Sequence, residues 1–415
     1  MIKTRFVYTL VTSAMLPFAL LHLLWRSRRQ PAYLKHIPER FGFYREASGK
    51  PVIWLHAVSV GETRAAEPLV KALRQAHPGH QILLTHMTPT GRETGERLFG
   101  GNVLRCYLPY DFPQAVKRFL AHFKPVAGVL LETEIWFNLI YLCKEKGIPL
   151  YLVNARLSEK SAAGYARFAN LVRPALQSLT TVSAQTQQDA ERLRALGAKA
   201  VQVTGNLKFD MLPPFFALEV GRELHSGFGA RPVFLAASTR EGEEELVLQA
   251  AAATGIADLL TVIVPRHPQR FDEVAALLER RGIQFQRRSE NRLVAADTQV
   301  VLGDSMGEMF AYYVACDLAF VGGSLLPYGG QNLLEACAVG KPVLIGPHTF
   351  NFAEAAELAV QAGAAQRVTS AAELGEAIKT LFANAVRRKA MGEAGRVFCA
   401  AHQGATQRIL RLLRF

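Results

Sequence analysis

The chain lacks most of what would make it a small secreted or metal-built protein. Its 415 residues hold only five cysteines, Cys106, Cys143, Cys316, Cys337 and Cys399. They lie far apart with no Cys-x-x-Cys pair, so neither a disulfide framework nor a zinc site is indicated, and they read as small core residues in a reducing compartment. No Asp-x-Asp occurs, which leaves the metal-bridged way of holding a nucleotide diphosphate without its ligands; no metal and no cofactor are expected. There is no Gly-x-Ser-x-Gly elbow, and no Gly-x-Gly-x-x-Gly follows the first expected strand, so acyl and hydride transfer lack their parts. Acid is also scarce: Asp plus Glu number 35 against 48 Lys plus Arg, a formal charge of +13. That excess favours polyanionic neighbours. No aromatic-plus-basic module of a recognisable nucleic-acid type accompanies it, so phosphorylated substrates and a membrane surface are preferred and nucleic acid is not expected.

What is present begins with an apolar run from Phe6 to Trp25, and a helix of about 20 such residues spans roughly 30 Å of hydrocarbon. Lys3 and Arg5 precede it; Arg26, Arg28, Arg29 and Lys35 follow it. This basic excess would keep the rest of the chain on the cytoplasmic side. A cleaved signal peptide is the rival, but no small-x-small cleavage site is evident. Pro17 and His22 weaken the helix, which leaves an interfacial, half-inserted helix open.

Beyond the linker Pro31 to Lys50, short apolar runs alternate with amphipathic stretches. Strands are expected at Val52 to Leu55, Ile82 to Thr85, Val126 to Leu131, Leu150 to Val153 and Val201 to Thr204. Helical spacing falls between them, as at Thr63 to Gln75 and Gln187 to Leu196. The alternation restarts after the Met211 to Arg231 loop, near Ala230, with strands at Val233 to Ala236, Leu260 to Val264, Val300 to Leu302, Leu318 to Val321 and Val343 to Ile345. Such a pattern predicts parallel sheets covered on both faces. The length suits two α/β domains, divided here as an anchor at 1–30, an N-terminal domain at 31–220 and a C-terminal domain at 221–415. Doubly wound sheets hold ligands at the carboxyl ends of their strands, which places the polar and glycine-rich segments at two crevices and a cleft between the lobes.

Five segments carry chemistry. In Trp54-Leu55-His56-Ala57-Val58-Ser59-Val60-Gly61-Glu62-Thr63 a buried strand runs through a turn into a helix, with Glu62 at the helix start. Position alone leaves Glu62 open between a carboxylate facing the helix dipole and a general base. Inverting glycosyl transfer needs one such base on one face of the sugar and leaving-group stabilisation on the other, without the paired carboxylates of glycoside hydrolysis. In Val264-Pro265-Arg266-His267-Pro268, Arg266 either meets a phosphate or decorates a proline turn. The turn Gly303-Asp304-Ser305-Met306-Gly307-Glu308 again joins strand to helix and would turn amides towards a phosphate. The richest segment runs from Phe320 through Gly322, Gly323, Ser324, Gly329 and Gly330 to Gln331-Asn332-Leu333-Leu334-Glu335. Its glycines would let amides approach an anion, and Asn332 and Glu335 share a helix face where a carboxylate suits ribose hydroxyls. Lys208, in Gly205-Asn206-Leu207-Lys208, is either a solvated lysine or a partner for leaving-group charge.

Together these segments resemble the 3-deoxy-D-manno-octulosonic acid (Kdo) transferases of Gram-negative lipopolysaccharide synthesis. The resemblance spans the chain and includes Glu39-Arg40-Phe41-Gly42, Thr88-Pro89-Thr90-Gly91, Leu108-Pro109-Tyr110-Asp111, Glu132-Thr133-Glu134-Ile135-Trp136, Asn154-Ala155-Arg156-Leu157-Ser158 and Ser238-Thr239-Arg240-Glu241-Gly242-Glu243. It implies a GT-B fold of two Rossmann-like lobes facing a cleft, an acceptor-binding N-terminal lobe and a CMP-sugar-binding C-terminal lobe. It implies CMP-Kdo as donor, a tetra-acylated phosphorylated lipid A precursor as acceptor, and attachment to the cytoplasmic face of the inner membrane. Glu62 matches the family's base, and Glu132 and Lys208 match residues of transition-state support. Pro265, Arg266, Met306, Gly307, Glu308, Asn332, Leu333, Leu334 and Glu335 match the CMP-binding segments. Gln331 stands where the family often has His, and Leu333 where it usually has Pro. A UDP-using epimerase or disaccharide synthase of similar fold, and a membrane-bound binder of nucleic acid or phospholipid, are the rival readings.

Overall fold

A computed structural model describes residues 2–28, 30–211 and 213–414. Two compact units emerge, Met1–Met211 with Gln403–Phe415, and Leu212–His402. The boundary thus falls earlier than the expected 220/221, and the C-terminal tail belongs to the first unit rather than to the second. The reason is apolar spacing in the last helix, Ala405–Leu412: Ala405, Ile409 and Leu413 join the same buried cluster as Ile53, Leu55, Leu69 and Leu73. Asp210 caps that helix by accepting from the Gly404 N–H at 2.7 Å, and Tyr151 Oη donates to the Arg414 carbonyl at 2.6 Å.

The first unit is built on one seven-stranded sheet: β1 (Val52–His56), β2 (Gln81–His86), β3 (Leu104–Tyr107), β4 (Pro125–Leu131), β5 (Leu150–Ala155), β6 (Thr181–Ala184) and β7 (Val201–Val203). The order is β3-β2-β1-β4-β5-β6-β7 and every pairing is parallel. All five residues of β1 are buried, as a central strand covered on both faces requires. Its Trp54 still satisfies its indole N–H, which donates to Thr85 Oγ1 at 2.8 Å. The second unit repeats the plan with β8 (Val233–Thr239), β9 (Leu260–Pro265), β10 (Phe285–Arg287), β11 (Val300–Leu302), β12 (Leu318–Val321), β13 (Val343–Ile345) and β14 (Ala365–Arg367), in the order β10-β11-β9-β8-β12-β13-β14. Strand order reverses at β1/β4 in one sheet and at β8/β12 in the other. Those switch points are where doubly wound sheets open a crevice.

Two expectations are corrected. The stretch Thr63 to Gln75 is not one helix but two, Val60–Ala65 and Glu67–Ala76, because Pro68 has no N–H to continue the ladder and sits in the first turn of the second. Phe6 to Trp25 is likewise not one helix. Ile2–Ala14 and Leu16–Ser27 are bent by 41° around Met15 with Pro17 in the first turn of the second. Among the described residues no single helix is long and apolar enough to cross a membrane, whereas the bent pair passes by length and composition. The first helix is also tied down by polar contacts: Tyr8 Oη donates to Asp111 Oδ2 at 2.8 Å and Arg5 Nε to Asn138 Oδ1 at 3.1 Å. The two helices carry bare apolar residues on their other side: Phe6 and Leu10 of the first and Phe18, Leu21 and Trp25 of the second are each 57% to 67% exposed. Arg29 lies outside the described residues, as does the side chain of Lys3. All five cysteines are free and buried, as expected.

Candidate active site

At the carboxyl end of β1 the chain turns through Ala57 and Val58 and starts a helix at Ser59. Ser59 is the N-cap: its hydroxyl accepts from the Glu62 N–H, and the Glu62 carboxylate reaches back to the cap hydroxyl and to the N–H of the residue before it, a variant of the capping box. Glu62 Oε2 accepts the Val58 N–H at 2.8 Å and Oε1 the Ser59 hydroxyl at 2.9 Å. The dipole-facing carboxylate and the candidate base are therefore one and the same arrangement. Burial, with the charges of Glu132 and Glu134, pushes the Glu62 pKa up to about 7 against the pull of those two donors. A carboxylate poised near neutrality is matched to proton abstraction at cellular pH.

The turn is buttressed from β2. Thr88 caps the helix Pro89–Phe99, accepting from the Gly91 N–H, and its own hydroxyl donates to the Val58 carbonyl at 3.2 Å. A Cβ on Gly91 would stand 2.9 Å from Thr88 Oγ1 and 3.0 Å from the Val58 oxygen. The segment Thr88-Pro89-Thr90-Gly91 is thus what lets that helix lie against the Glu62 turn.

From β4, the neighbour across the switch point, come two more carboxylates. Glu132 is held in the left-handed region at φ 55°, its N–H on the Val153 carbonyl at 2.9 Å. A non-glycine residue there marks strain that the surroundings sustain. Lys208 Nζ lies 3.9 Å from Glu132 Oε1. Lys208 is set by its own loop: Asn154, also left-handed at φ 54°, takes the Leu207 N–H on Oδ1 at 3.0 Å, and the Asn206 amide donates to Gln185 Oε1 at 3.0 Å. Glu134 accepts the Trp136 indole N–H at 2.6 Å and lies 3.9 Å from His56 Nε2; burial raises its pKa. His56 is fully buried and its pKa drops to about 3, so the ring is neutral.

Glu62, Glu132 and Lys208, expected from the sequence, therefore fall at the ends of β1, β4 and β7. Glu134, His56 and the Asn154–Gln185–Asn206 chain were not expected as site residues. Glu134 carried a signal, a second acid two positions after Glu132 at the end of a buried strand. Gln185 carried none, since a lone Gln after a short strand looks like any loop residue.

In the second unit, Pro265 closes β9 and Arg266 follows it, its Nε donating to Gln331 Oε1 at 3.2 Å. This links the proline turn to the glycine segment after β12. Asn332 Nδ2 donates to Glu335 Oε1 at 3.1 Å and Asn332 Oδ1 accepts the Leu334 N–H at 3.2 Å, so the expected shared face is present. Leu333 and Leu334 are buried and offer only main chain. Met306, Gly307 and Glu308 follow β11, with Gly307 at φ 89° and Glu308 paired to Arg288 at 3.1 Å. Arg240, Arg266 and Arg270 together depress the His267 pKa, beneath the effect of its burial, which marks this corner as cationic.

One expectation fails here. The amides of the glycine segment do not await an outside anion: Gly323, Ser324 and Leu325 all donate to the carboxylate of Glu243. The helix that follows, Leu334–Ala338, is short and begins past the glycines.

Residues 35–211 match the family model of 3-deoxy-D-manno-octulosonic-acid transferase (kdotransferase), and residues 281–398 that of the glycosyl transferases group 1. The 3-deoxy-D-manno-octulosonic acid transferase of Bordetella pertussis is 45% identical over 99% of this chain and 98% of its own length. That of Haemophilus influenzae is 39% identical, over 99% and 98%. Among solved structures, UDP-GlcNAc 2-epimerase from Neisseria meningitidis bound to UDP-GlcNAc superposes with a TM-score of 0.59 at 18% identity, over 87% of this chain and 99% of that one. A glycosyltransferase from Rickettsia africae gives 0.58 at 15% identity, over 88% and 98%. Likeness at such identities speaks for the fold alone, an α/β arrangement of the GT-B kind with two parallel sheets.

Proposed function

Because the chain belongs to the Kdo transferases, we propose that it moves Kdo from CMP-Kdo, with inversion, to a hydroxyl of the tetra-acylated phosphorylated disaccharide lipid A precursor, in lipopolysaccharide synthesis. The observation that carries the mechanism is the Glu62 carboxylate, fixed by two donors and brought to a pKa of about 7. Each of its oxygens keeps a second lone pair, so the cap bonds leave it able to take a proton. Glu62 removes the proton of the acceptor hydroxyl as that oxygen bonds the anomeric carbon of Kdo. The bond from that carbon to the phosphate oxygen breaks, and its electron pair leaves with CMP. Glu132 faces the positive charge that grows on the sugar, and Lys208, 3.9 Å away, positions that carboxylate. Donor recognition falls to the second unit: Arg266 for phosphate, the Asn332–Glu335 pair for ribose, and main chain at Pro265 and Met306 to Glu308 for the base.

An acceptor with acyl chains suits a protein seated at the cytoplasmic face of the inner membrane. Supporting this seat are the bare apolar side of the helices Ile2–Ala14 and Leu16–Ser27, the bases Arg26 and Arg28 at its end, and the net charge of +13, which favours lipid phosphates. The deciding experiment incubates the purified chain with a CMP-Kdo generating system and the lipid A precursor and reads product masses. The expected result is a Kdo adduct that Glu62→Ala abolishes while CMP binding persists. Full transfer by Glu62→Ala would refute the base, and no adduct from the unaltered chain would refute the reaction.

A further inference from the structure

The glycine segment after β12 has the form of a phosphate cradle, yet its donors are spent on the protein itself. Glu243 is fully buried, and its Oε2 takes the N–H of Gly323 at 2.5 Å and of Arg240 at 2.9 Å, its Oε1 those of Ser324 and Leu325 at 3.0 Å each. Ser324 Oγ donates to the Val321 carbonyl and accepts the Gly346 N–H at 2.8 Å, so the hydroxyl is occupied too. The segment has no room to withdraw. A Cβ on Gly322 would stand 2.7 Å from Thr239 Cα, and Gly323 needs φ 67° to present its amide. Four converging main-chain donors around one carboxylate reproduce what such nests offer a phosphate.

From this we infer that Glu243 acts as a built-in anion that fills the seat of a second phosphate, so that the donor site accepts a nucleoside monophosphate and refuses a diphosphate. This deepens the CMP-sugar reading and rests on it. A single phosphate is left to the cationic corner made by Arg240 and Arg266 at the ends of β8 and β9. Arg270, the third cation there, is committed to a bidentate pair with Glu244 at 2.6 and 3.1 Å. A further phosphate extended towards the glycines would meet a buried carboxylate instead of amides, and like charges in a dry site repel strongly. Glu243 touches no reacting atom in this view; it determines specificity by occupying space and charge.

Calorimetric titration of the full-length protein with CMP, CDP and inorganic pyrophosphate, in chelator to remove metal effects, tests this. The unaltered chain is expected to bind CMP about tenfold or more tightly than CDP and pyrophosphate not at all. Glu243→Gln keeps the volume and removes the charge, and should shrink the CMP/CDP gap severalfold. Glu243→Asp keeps the charge and should keep the gap. CMP and CDP binding equally to the unaltered chain would overturn the inference whether or not the variants fold, as would a gap unchanged in a folded Glu243→Gln protein. Failure of the unaltered chain to bind CMP at all is a distinct result, which removes the donor reading and this inference with it.

Discussion

Ser59 and Glu62 hold one another reciprocally: the hydroxyl donates to Oε1 at 2.9 Å and accepts the Glu62 N–H at 3.4 Å. The position of the proposed base is therefore set by the start of a helix, and the electrostatics of the base are set in part by the cap. Stability and catalysis meet in one hydroxyl.

Ser59→Ala separates the two. Losing the cap should cost about 1 kcal/mol of stability, read by chemical denaturation. It also removes a donor that lowers the Glu62 pKa, so the acid limb of the profile of kcat/KM against pH should move to higher pH. Ser59→Thr should restore both. A stability loss with an unmoved pH profile would make Ser59 a cap and nothing more.

The pH dependence of the unaltered enzyme follows from the raised Glu62 pKa. Transfer needs the ionised form, so kcat/KM should rise through an inflection near pH 7. The Glu132 charge is among the causes that raise it, so Glu132→Gln should lower that inflection along with the maximal rate. Stability runs the other way. A carboxyl whose pKa is raised by folding contributes fully below its ordinary value, and the contribution fades as pH rises through about 7. Glu62→Gln should therefore gain stability relative to the unaltered chain between pH 5 and pH 8, measured as the difference in unfolding midpoints. A gap constant with pH would contradict the shift.

Much of this geometry was legible in the sequence, and the losses have physical causes. The central buried strands β1, β4 and β8 announce themselves by apolar runs, and Val300–Leu302, Leu318–Val321 and Val343–Ile345 match expectation to the residue. The strands not foreseen are β3, β6, β10 and β14, of which β3, β10 and β14 are sheet edges. Phe285-Gln286-Arg287 and Ala365-Gln366-Arg367 are short and polar at two of three positions, as edges are. Glu62, Glu132 and Lys208 could be named because they follow strands or match family segments. Glu243 could not: that a carboxylate at the start of a different helix fills the glycine segment is a contact across some 80 positions of chain, and no local pattern encodes it. Its acidic neighbours Glu244 and Glu245 hide it further.

The left-handed Glu132 offers a test of strain at a functional position. Glycine adopts φ 55° without the penalty that a Cβ incurs, about 1 kcal/mol or somewhat more. Glu132→Gly should hold or raise the unfolding midpoint while transfer falls at least about a hundredfold, on the scale of a lost electrostatic contact in a transition state. A loss of activity accompanied by a comparable loss of stability would assign Glu132 to the scaffold instead.

The proposed membrane seat depends on charge as well as on apolar area. Arg26 ends the helix Leu16–Ser27 and Arg28 follows directly, beside the exposed Phe18, Leu21 and Trp25. Each basic residue near an anionic surface contributes about 1 kcal/mol, so Arg26→Glu with Arg28→Glu should weaken flotation with anionic vesicles roughly tenfold or more, and added salt should narrow the difference. Phe18→Asp should weaken it at every salt concentration. Transfer to acceptor embedded in vesicles should fall in parallel with binding, while transfer to acceptor dispersed in detergent should stay near that of the unaltered chain, since none of these residues belongs to the site. Vesicle binding that ignores all three changes would place the contact with lipid elsewhere on the molecule.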